Sequence, residues 1–409
     1  MTPHTFSSGK PSPPASDALR LKAVATGFGG ISLVAECGEP FALDAGVEPG
    51  VDKVILTHAH LDHSLMAPGK EVYATLPTLA LAKELWLDAK SLNPDLPWEA
   101  TDVQKTLNSS FRVPYGRPFK VGDATVTLFN AGHVLGSAMV LVECEGKRLL
   151  YTGDLGTSSF LLDHWSKEVP QADVLVTESS YLCKDRPSAK KEWSRLLYFL
   201  KQRLREGPVL IAANAVGKVQ EVIKFLMNYK EQIGLNAVIV EGMGFRATKI
   251  YDEMIEYLKE SEVTAWLNGN RRRLTDFVTF PSSLRERLDM ARPGTAVVAP
   301  SGSLSGGMSV WWALKGVPYV LLGHVFEPAS SLLAGGEVTL KDPLGNEGVV
   351  RPPELHLQIS RHATRQELLQ FISLTKAKEV YLVHGDEECR SEAERMGFHN
   401  LKDGEELTF

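Results

Sequence analysis

The sequence predicts an α/β fold in two parts, one strand-rich and one in which strands and helices alternate, and three observations carry that reading. Short runs of β-branched and aliphatic residues alternate with glycine-containing turns through the first 177 residues. From about residue 188 helical and strand patterns alternate instead. The 409-residue chain also exceeds the size at which a single core stops growing, so a second domain is expected.

Residues 1–17, MTPHTFSSGKPSPPASD, are rich in Pro, Ser and Thr and are expected to be a disordered tail in which His4 has no role. Strands are expected at 20–26, 31–36, 53–57, 124–129, 138–143, 148–152 and 173–177. AKKEWSRLLYFLKQRLREG then places Trp193, Leu196, Leu197, Leu200 and Leu204 at helical spacing. Strand PVLIAAN, helix 217–230, strand NAVIV, helix 246–260, strand TAVVAP, helix 307–315 and strand PYVLLG follow, a βα series that implies a mainly parallel sheet. ELHLQIS, TRQELLQFISLTK and EVYLVHG return to the first texture, and Thr364 with Glu367 forms a capping-box pattern that starts their helix. The expected division is a tail at 1–17, a first domain at 18–187 resumed at 353–409, and an intervening domain at 188–352.

Lys plus Arg number 44 against 50 Asp plus Glu, a net charge of -6 that argues against indiscriminate binding to nucleic acid or anionic membrane. Any polyanion must be gripped locally. Arg271, Arg272 and Arg273 form a basic run, read as a solvated face with nucleic-acid contact as the alternative. Cys37, Cys144, Cys183 and Cys389 are scattered without a CxxC pair, which suits reduced thiols in a cytoplasmic protein and offers no thiolate metal site. No stretch approaches a membrane span and no signal-peptide pattern opens the chain.

Polar residues fall just beyond the strand-like runs: Asp44 after FAL, His58 after KVILT, His133 after VTLFNAG, Asp154 after LLYTG, Glu178 after VLVT, His362 after LQISR and His384 after VYLV. Loops beyond one common end of the strands converge on a single cleft, so these residues are expected to share a site. Within THAHLDH, His58, His60, Asp62 and His63 occupy six positions, and imidazoles with carboxylates are what zinc accepts. Such a cluster packed without a metal would be costly. His164, His324, His356 and His399 are read as structural. SGSLSGG, which follows TAVVAP and opens a helix, offers backbone N–H groups to a phosphate.

THAHLDH, GH at 132–133, GD at 153–154 and Asp44 resemble the metallo-β-lactamase fold, an αββα sandwich that carries one or two metals at its strand ends. ESSY at 178–181, ANAVGKVQEV at 213–222, SGSLSGG at 301–307, SRHA at 360–363 and LVHGD at 382–386 are similar to the beta-CASP nucleases, in which a mainly parallel α/β domain is inserted into that sandwich. The resemblance runs from about residue 20 to the C-terminus and rests on an ordered series of motifs.

That resemblance implies that His58, His60 and His133 hold one metal, Asp62, His63 and His384 a second, that Asp154 bridges them and that Asp44 orients a ligand. It implies two Zn2+ ions, with Mn2+ as the alternative, and a bridging hydroxide that attacks phosphorus. His362, paired with Glu178, is the implied proton donor, and Asp62 and Asp154 count with them as catalytic; Ser301, Ser303, Gly306, Gly307 and Ser360 are the candidate phosphate contacts. Three departures stand out: Thr364 where the family usually has Asp, a short loop between Asp44 and His58, and GHVFEPAS at 323–330 in place of a more Gly- and Thr-rich stretch. The implied activity is cleavage of single-stranded RNA, as an endonuclease with possible 5′ exonuclease action, because RNA-acting members carry His where His384 stands. A DNA-directed nuclease of this family, a thioesterase or lactonase of the same fold and an inactive RNA-binding scaffold are the alternatives. The partners expected are RNA, no membrane and, in any assembly, a second copy in a homodimer.

Overall fold

A computed structural model describes residues 18–26, 30–46, 48–385 and 387–409. The expected tail at 1–17 and Asp386 of LVHGD lie outside the described residues. In chain order, β1 (Arg20–Ala25), β2 (Ile31–Cys37), β3 (Glu39–Leu43), β4 (Lys53–Ile55), β5 (Glu71–Ala74) and β6 (Phe111–Arg112) build most of one sheet. β7 (Phe119–Val121), β8 (Ala124–Asn130), β9 (Ala138–Cys144), β10 (Lys147–Tyr151) and β11 (Val174–Glu178) build most of a second. β12 (Val209–Ala212), β13 (Ala237–Val240), β14 (Thr295–Ala299) and β15 (Tyr319–Leu322) belong to a third, and β16 (Val338–Lys341) pairs with β17 (Glu347–Val350) in a separate hairpin. After β18 (Leu355–Leu357), the chain returns to the first two sheets with β19 (Glu379–Val383), β20 (His399–Asn400) and β21 (Glu406–Thr408). The sheet orders are β21-β1-β2-β3-β4-β5-β6, β20-β19-β11-β10-β9-β8-β7 and β13-β14-β12-β15-β18.

Residue parity along each strand decides the layering, since alternate side chains leave opposite faces. Val140, Val142, Leu149, Tyr151, Val174, Val176, Tyr381 and Val383 of the second sheet meet Leu33, Ala35, Phe41, Leu43 and Ile55 of the first in one buried layer. Their neighbours Met139, Leu141, Leu150, Leu175 and Leu382 face the other way, onto Leu368, Phe371 and Ile372 of helix Arg365–Thr375. On the far side of the first sheet, Ala42, Val54, Leu56, Val72 and Ala74 pack against Leu79, Ala82 and Trp86 of helix Leu76–Leu92. Helix, sheet, sheet, helix is therefore the order of layers, the αββα sandwich expected above.

The third sheet is parallel throughout and carries the expected βα texture. The strand ELHL, read above as part of the returning first texture, pairs through Leu355–Leu357 with β15 and so closes this sheet instead. The buried cluster that fills the outer layer of the sandwich runs on without a break into the inserted domain. Arg271 is buried against Asp252 and Glu262, so the first residue of the basic run is a structural cation and not a surface contact. The cysteine expectation also fails. Cys37 of β2 is bonded to Cys144 of β9 across the inside of the sandwich, and Cys183 to Cys389 of helix Glu387–Arg395. Separations of 107 and 206 residues left no trace in local spacing, because each pair is brought together only by the tertiary fold.

Candidate metal centre

The site begins with a tight turn at the end of β4. His58 stands three positions past this strand's last residue, Ile55, and a short helix, Leu61–Ser64, carries Asp62 and His63. Trp86 and Trp98 pin that helix, their indole N–H groups donating to the Ser64 and Leu65 carbonyls at 2.9 and 2.8 Å. Asp44, fully buried and in the left-handed region at φ 64°, accepts from Thr57 N, Thr57 Oγ1, Tyr151 OH and His63 Nδ1, the last at 2.7 Å. Thr57 Oγ1, having given its hydrogen to Asp44, accepts from His58 Nδ1 at 3.0 Å. Both rings are thus turned with a bare Nε2 toward the centre of the site.

Four atoms converge there. His58 Nε2 lies 3.2 Å from His60 Nδ1, His133 Nε2 3.3 Å from the same atom, and Asp154 Oδ2 3.5 Å from both Nε2 atoms. A tetrahedral zinc with bonds of about 2.0 Å requires donor separations of about 3.3 Å, so the residues fit such an ion. The other oxygen of the same carboxylate, Asp154 Oδ1, is 3.4 Å from His63 Nε2, which is 3.6 Å from Asp62 Oδ2. His384 joins His63 and Asp154 in this second group, whose donor atoms lie within 4.8 Å of one another, whereas Asp62, half-exposed, stands outside it and approaches His63 alone. The Nε2 atoms of His63 and His384 are buried and have no hydrogen-bond partner among the described residues, an expensive state unless a cation takes those lone pairs.

Electrostatics point the same way. Burial and neighbouring imidazoles hold His58 and His133 well below the usual histidine range, and burial also lowers His60 and His384, so these rings stand neutral as ligands must. His63 goes the other way: burial lowers it, but Asp154, Asp62 and Asp44 together raise it well above. Burial would raise Asp154, yet His63, His362 and His133 hold it well below the usual carboxylate range. The pocket is built to hold positive charge.

His362 stands at the edge of the cluster, its ring 4.5 Å from that of His133 and its Nδ1 2.9 Å from the Glu178 carboxylate. Glu178 is buried at the end of β11 and also accepts from Leu155 N at 2.7 Å. His384 is again a left-handed residue, φ 62°; Ser179 Oγ donates to its carbonyl, and a side chain on Gly30 would come within 2.6 Å of its ring. Several supports have roles that the sequence reading did not assign. Arg361 donates to the Gly132 and His133 carbonyls at 2.7 and 3.1 Å, Arg186 donates to the His362 carbonyl, and the Val216 carbonyl of the inserted domain lies 3.4 Å from His60 Nε2. Ser360 Oγ accepts from His362 N. In the serine loop, Ser301 Oγ accepts from Ser303 N and Ser305 N, Ser303 Oγ accepts from Phe326 N, and Gly306 and Gly307 lead into helix Met308–Leu314.

Residues 30–205 match the beta-lactamase superfamily domain, and 355–401 match the Zn-dependent metallo-hydrolase RNA specificity domain. The chain is 29% identical over 368 residues to ribonuclease TTHA0252 of Thermus thermophilus, covering 85% of this chain and 84% of that protein. It is 27% identical over 375 residues to an RNase J-like protein of Methanocaldococcus jannaschii, 84% and 86% covered. It is 30% identical over 375 residues to transcription termination factor FttA of that archaeon, with 82% of this chain but only 59% of that protein covered. A crystal structure of a protein of unknown function from Enterococcus faecalis superposes with a TM-score of 0.58 at 13% identity, over 96% of this chain and 100% of that one, a likeness of fold alone.

Proposed function

Since the chain belongs to the beta-CASP ribonucleases of the metallo-β-lactamase superfamily, we propose that it hydrolyses phosphodiester bonds of single-stranded RNA at a two-metal centre, as an endonuclease with 5′ exonuclease activity besides. The observation that supports this reading is the two-faced Asp154, with one oxygen toward His58 and His133 and the other toward His63. Two divalent ions, Zn2+ before Mn2+ because imidazoles predominate, would be held by His58, His60 and His133 on one side and Asp62, His63 and His384 on the other, and would supply an activated water and neutralise charge developing on the phosphate.

The chain's own groups do the rest. Asp44 and Thr57 fix the ring orientations of His63 and His58. His362, its Nδ1 hydrogen held by Glu178, presents the opposite nitrogen as proton donor to the leaving oxygen. RNA needs that proton because its leaving group is a basic alkoxide. Ser360 and the loop bearing Ser301, Ser303, Gly306 and Gly307 are assigned to the flanking phosphates. An RNA substrate supports the reading of a cytoplasmic protein; against it stand the two disulfides, since paired cysteines inside cells are rare outside hyperthermophiles. Among the described residues no helix is long and apolar enough to cross a membrane.

The test strips the protein of metal, restores Zn2+ or Mn2+ separately, and supplies matched end-labelled single-stranded RNA and DNA. RNA should be cut in preference once metal is restored. Equal rates on the two strands would overturn the assignment to RNA.

A further inference from the structure

Every strand of the inserted sheet is parallel to its neighbours, so the loops beyond their C-terminal ends share one edge. The loop after β12 brings the Val216 carbonyl to His60, and the residues after β18 lead through Ile359 and Ser360 to His362. The loop after β15, at the same edge, carries His324, Val325 and Phe326 within the GHVFEPAS stretch that departs from the family pattern. Val325 is buried in the core of the inserted domain, whereas His324 and Phe326 on either side of it are exposed. Their rings meet edge to face at 4.9 Å, and Phe326 keeps 69% of its surface open to solvent. The backbone beneath them is fixed: Gly323 N donates to the Leu357 carbonyl at 2.6 Å, and Phe326 N to Ser303 Oγ at 3.0 Å. A side chain on Gly323 would collide with the Ile359 carbonyl, so this loop lies directly against the segment that ends in His362. Folding accounts for Val325, while the paired rings of His324 and Phe326 stay open to solvent on a loop whose backbone is tethered beside the His362 segment.

We propose that His324 and Phe326 form a stacking platform for one unpaired nucleobase of the substrate strand, near the scissile phosphate. The proposal rests on the ribonuclease reading and deepens it. A base stacked on an aromatic face is bound whatever its identity, because every base has a π-face, so the platform would confer preference for unpaired RNA and not for a sequence. It also revises the structural reading of His324 made from sequence.

The test is an abasic scan. Single-stranded RNA oligonucleotides, each with one nucleotide around the cleavage point replaced by an abasic ribose, are cut by the metal-loaded wild type, by Phe326→Ala and by Phe326→Trp. The wild type should show one position at which loss of the base raises KM roughly 5- to 100-fold, the weight of a single stacked base. Phe326→Ala should suffer a similar loss on intact RNA and show no further loss at that position, and Phe326→Trp should restore the wild-type profile. A wild type that cuts RNA while Phe326→Ala equals it, or keeps the same dip in the scan, overturns the platform alone. A wild type that leaves all RNA intact overturns the ribonuclease reading and the platform with it.

Discussion

His362 is pulled two ways: desolvation lowers its pKa, while the Glu178 and Asp154 carboxylates raise it to about 9. It is therefore protonated near neutrality, the form a proton donor needs. His362→Ala should slow RNA cleavage by roughly 10²–10⁴ without releasing metal, whereas a nitrophenyl phosphodiester, whose phenolate leaves unprotonated, should be nearly spared. Equal loss on both substrates, or loss of metal, would make His362 a ligand or a structural residue. The pH profile carries the sign. With His362 in its proposed role, activity should require the protonated ring and fall as pH rises through its pKa; Glu178→Gln removes the main raising charge, so the alkaline limb should begin at lower pH. Asp62→Ala should reduce the metal content measured by elemental analysis from about two ions per chain and abolish hydrolysis of both substrates. The candidate ligands were legible because all seven are strong donors placed just past apolar strands or crowded into THAHLDH. Arg361, Arg186 and Tyr151 were not, since an arginine that donates to a carbonyl or a tyrosine that donates to a buried carboxylate has no local pattern to announce it.

At the scale of elements, Thr364 shows a departure from the family pattern that physics tolerates. Its hydroxyl accepts from Glu367 N while the Glu367 carboxylate accepts from Thr364 N, closing the box expected from sequence, and Glu367 also accepts from Thr157 at 2.9 Å. Thr364→Ala should lower stability by about 1 kcal/mol in a denaturant melt, whereas Thr364→Asp should keep the cap. The same comparison checks that the helix, and not a catalytic group, depends on this residue: metal content should not move. Helix Arg365–Thr375 was readable because caps and period agree. Helix Leu76–Leu92 escaped the sequence reading because LPTLALA buries residues on several sides and blurs the helical period. ELHL was recognised as a strand, but which sheet it joins depends on a partner, β15, more than thirty positions away, and alternation carries no information about partners.

For the whole molecule, the inserted domain reaches the candidate metal site as well as neighbouring it. Val216 sits at His60, and buried Glu221 accepts from Ser159 Oγ, Phe160 N and Leu161 N, tying the insert to the loop that follows Asp154. Glu221→Ala would strand two backbone donors and should cost roughly 2–4 kcal/mol in a denaturant melt. The disulfides weigh as much. Replacing Cys37 and Cys144 by Ser should cost roughly 5 kcal/mol, the entropic worth of closing a loop of about a hundred residues, and a thiol assay of the unreduced, denatured wild type should detect no free sulfhydryl. Charge and composition argued against an indiscriminate polyanion binder, but cysteine connectivity is a property of the folded chain. That connectivity divides the polypeptide into two closed rings in series, residues 37–144 and 183–389, joined by one open span. The first ring holds Asp44, His58, His60, Asp62, His63 and His133; the second holds His362 and His384; Asp154 and Glu178 lie on the span between them. A protease that nicks either ring once leaves one covalent molecule on a non-reducing gel, whereas a single nick in the span releases two pieces and separates the proposed ligand sets from each other.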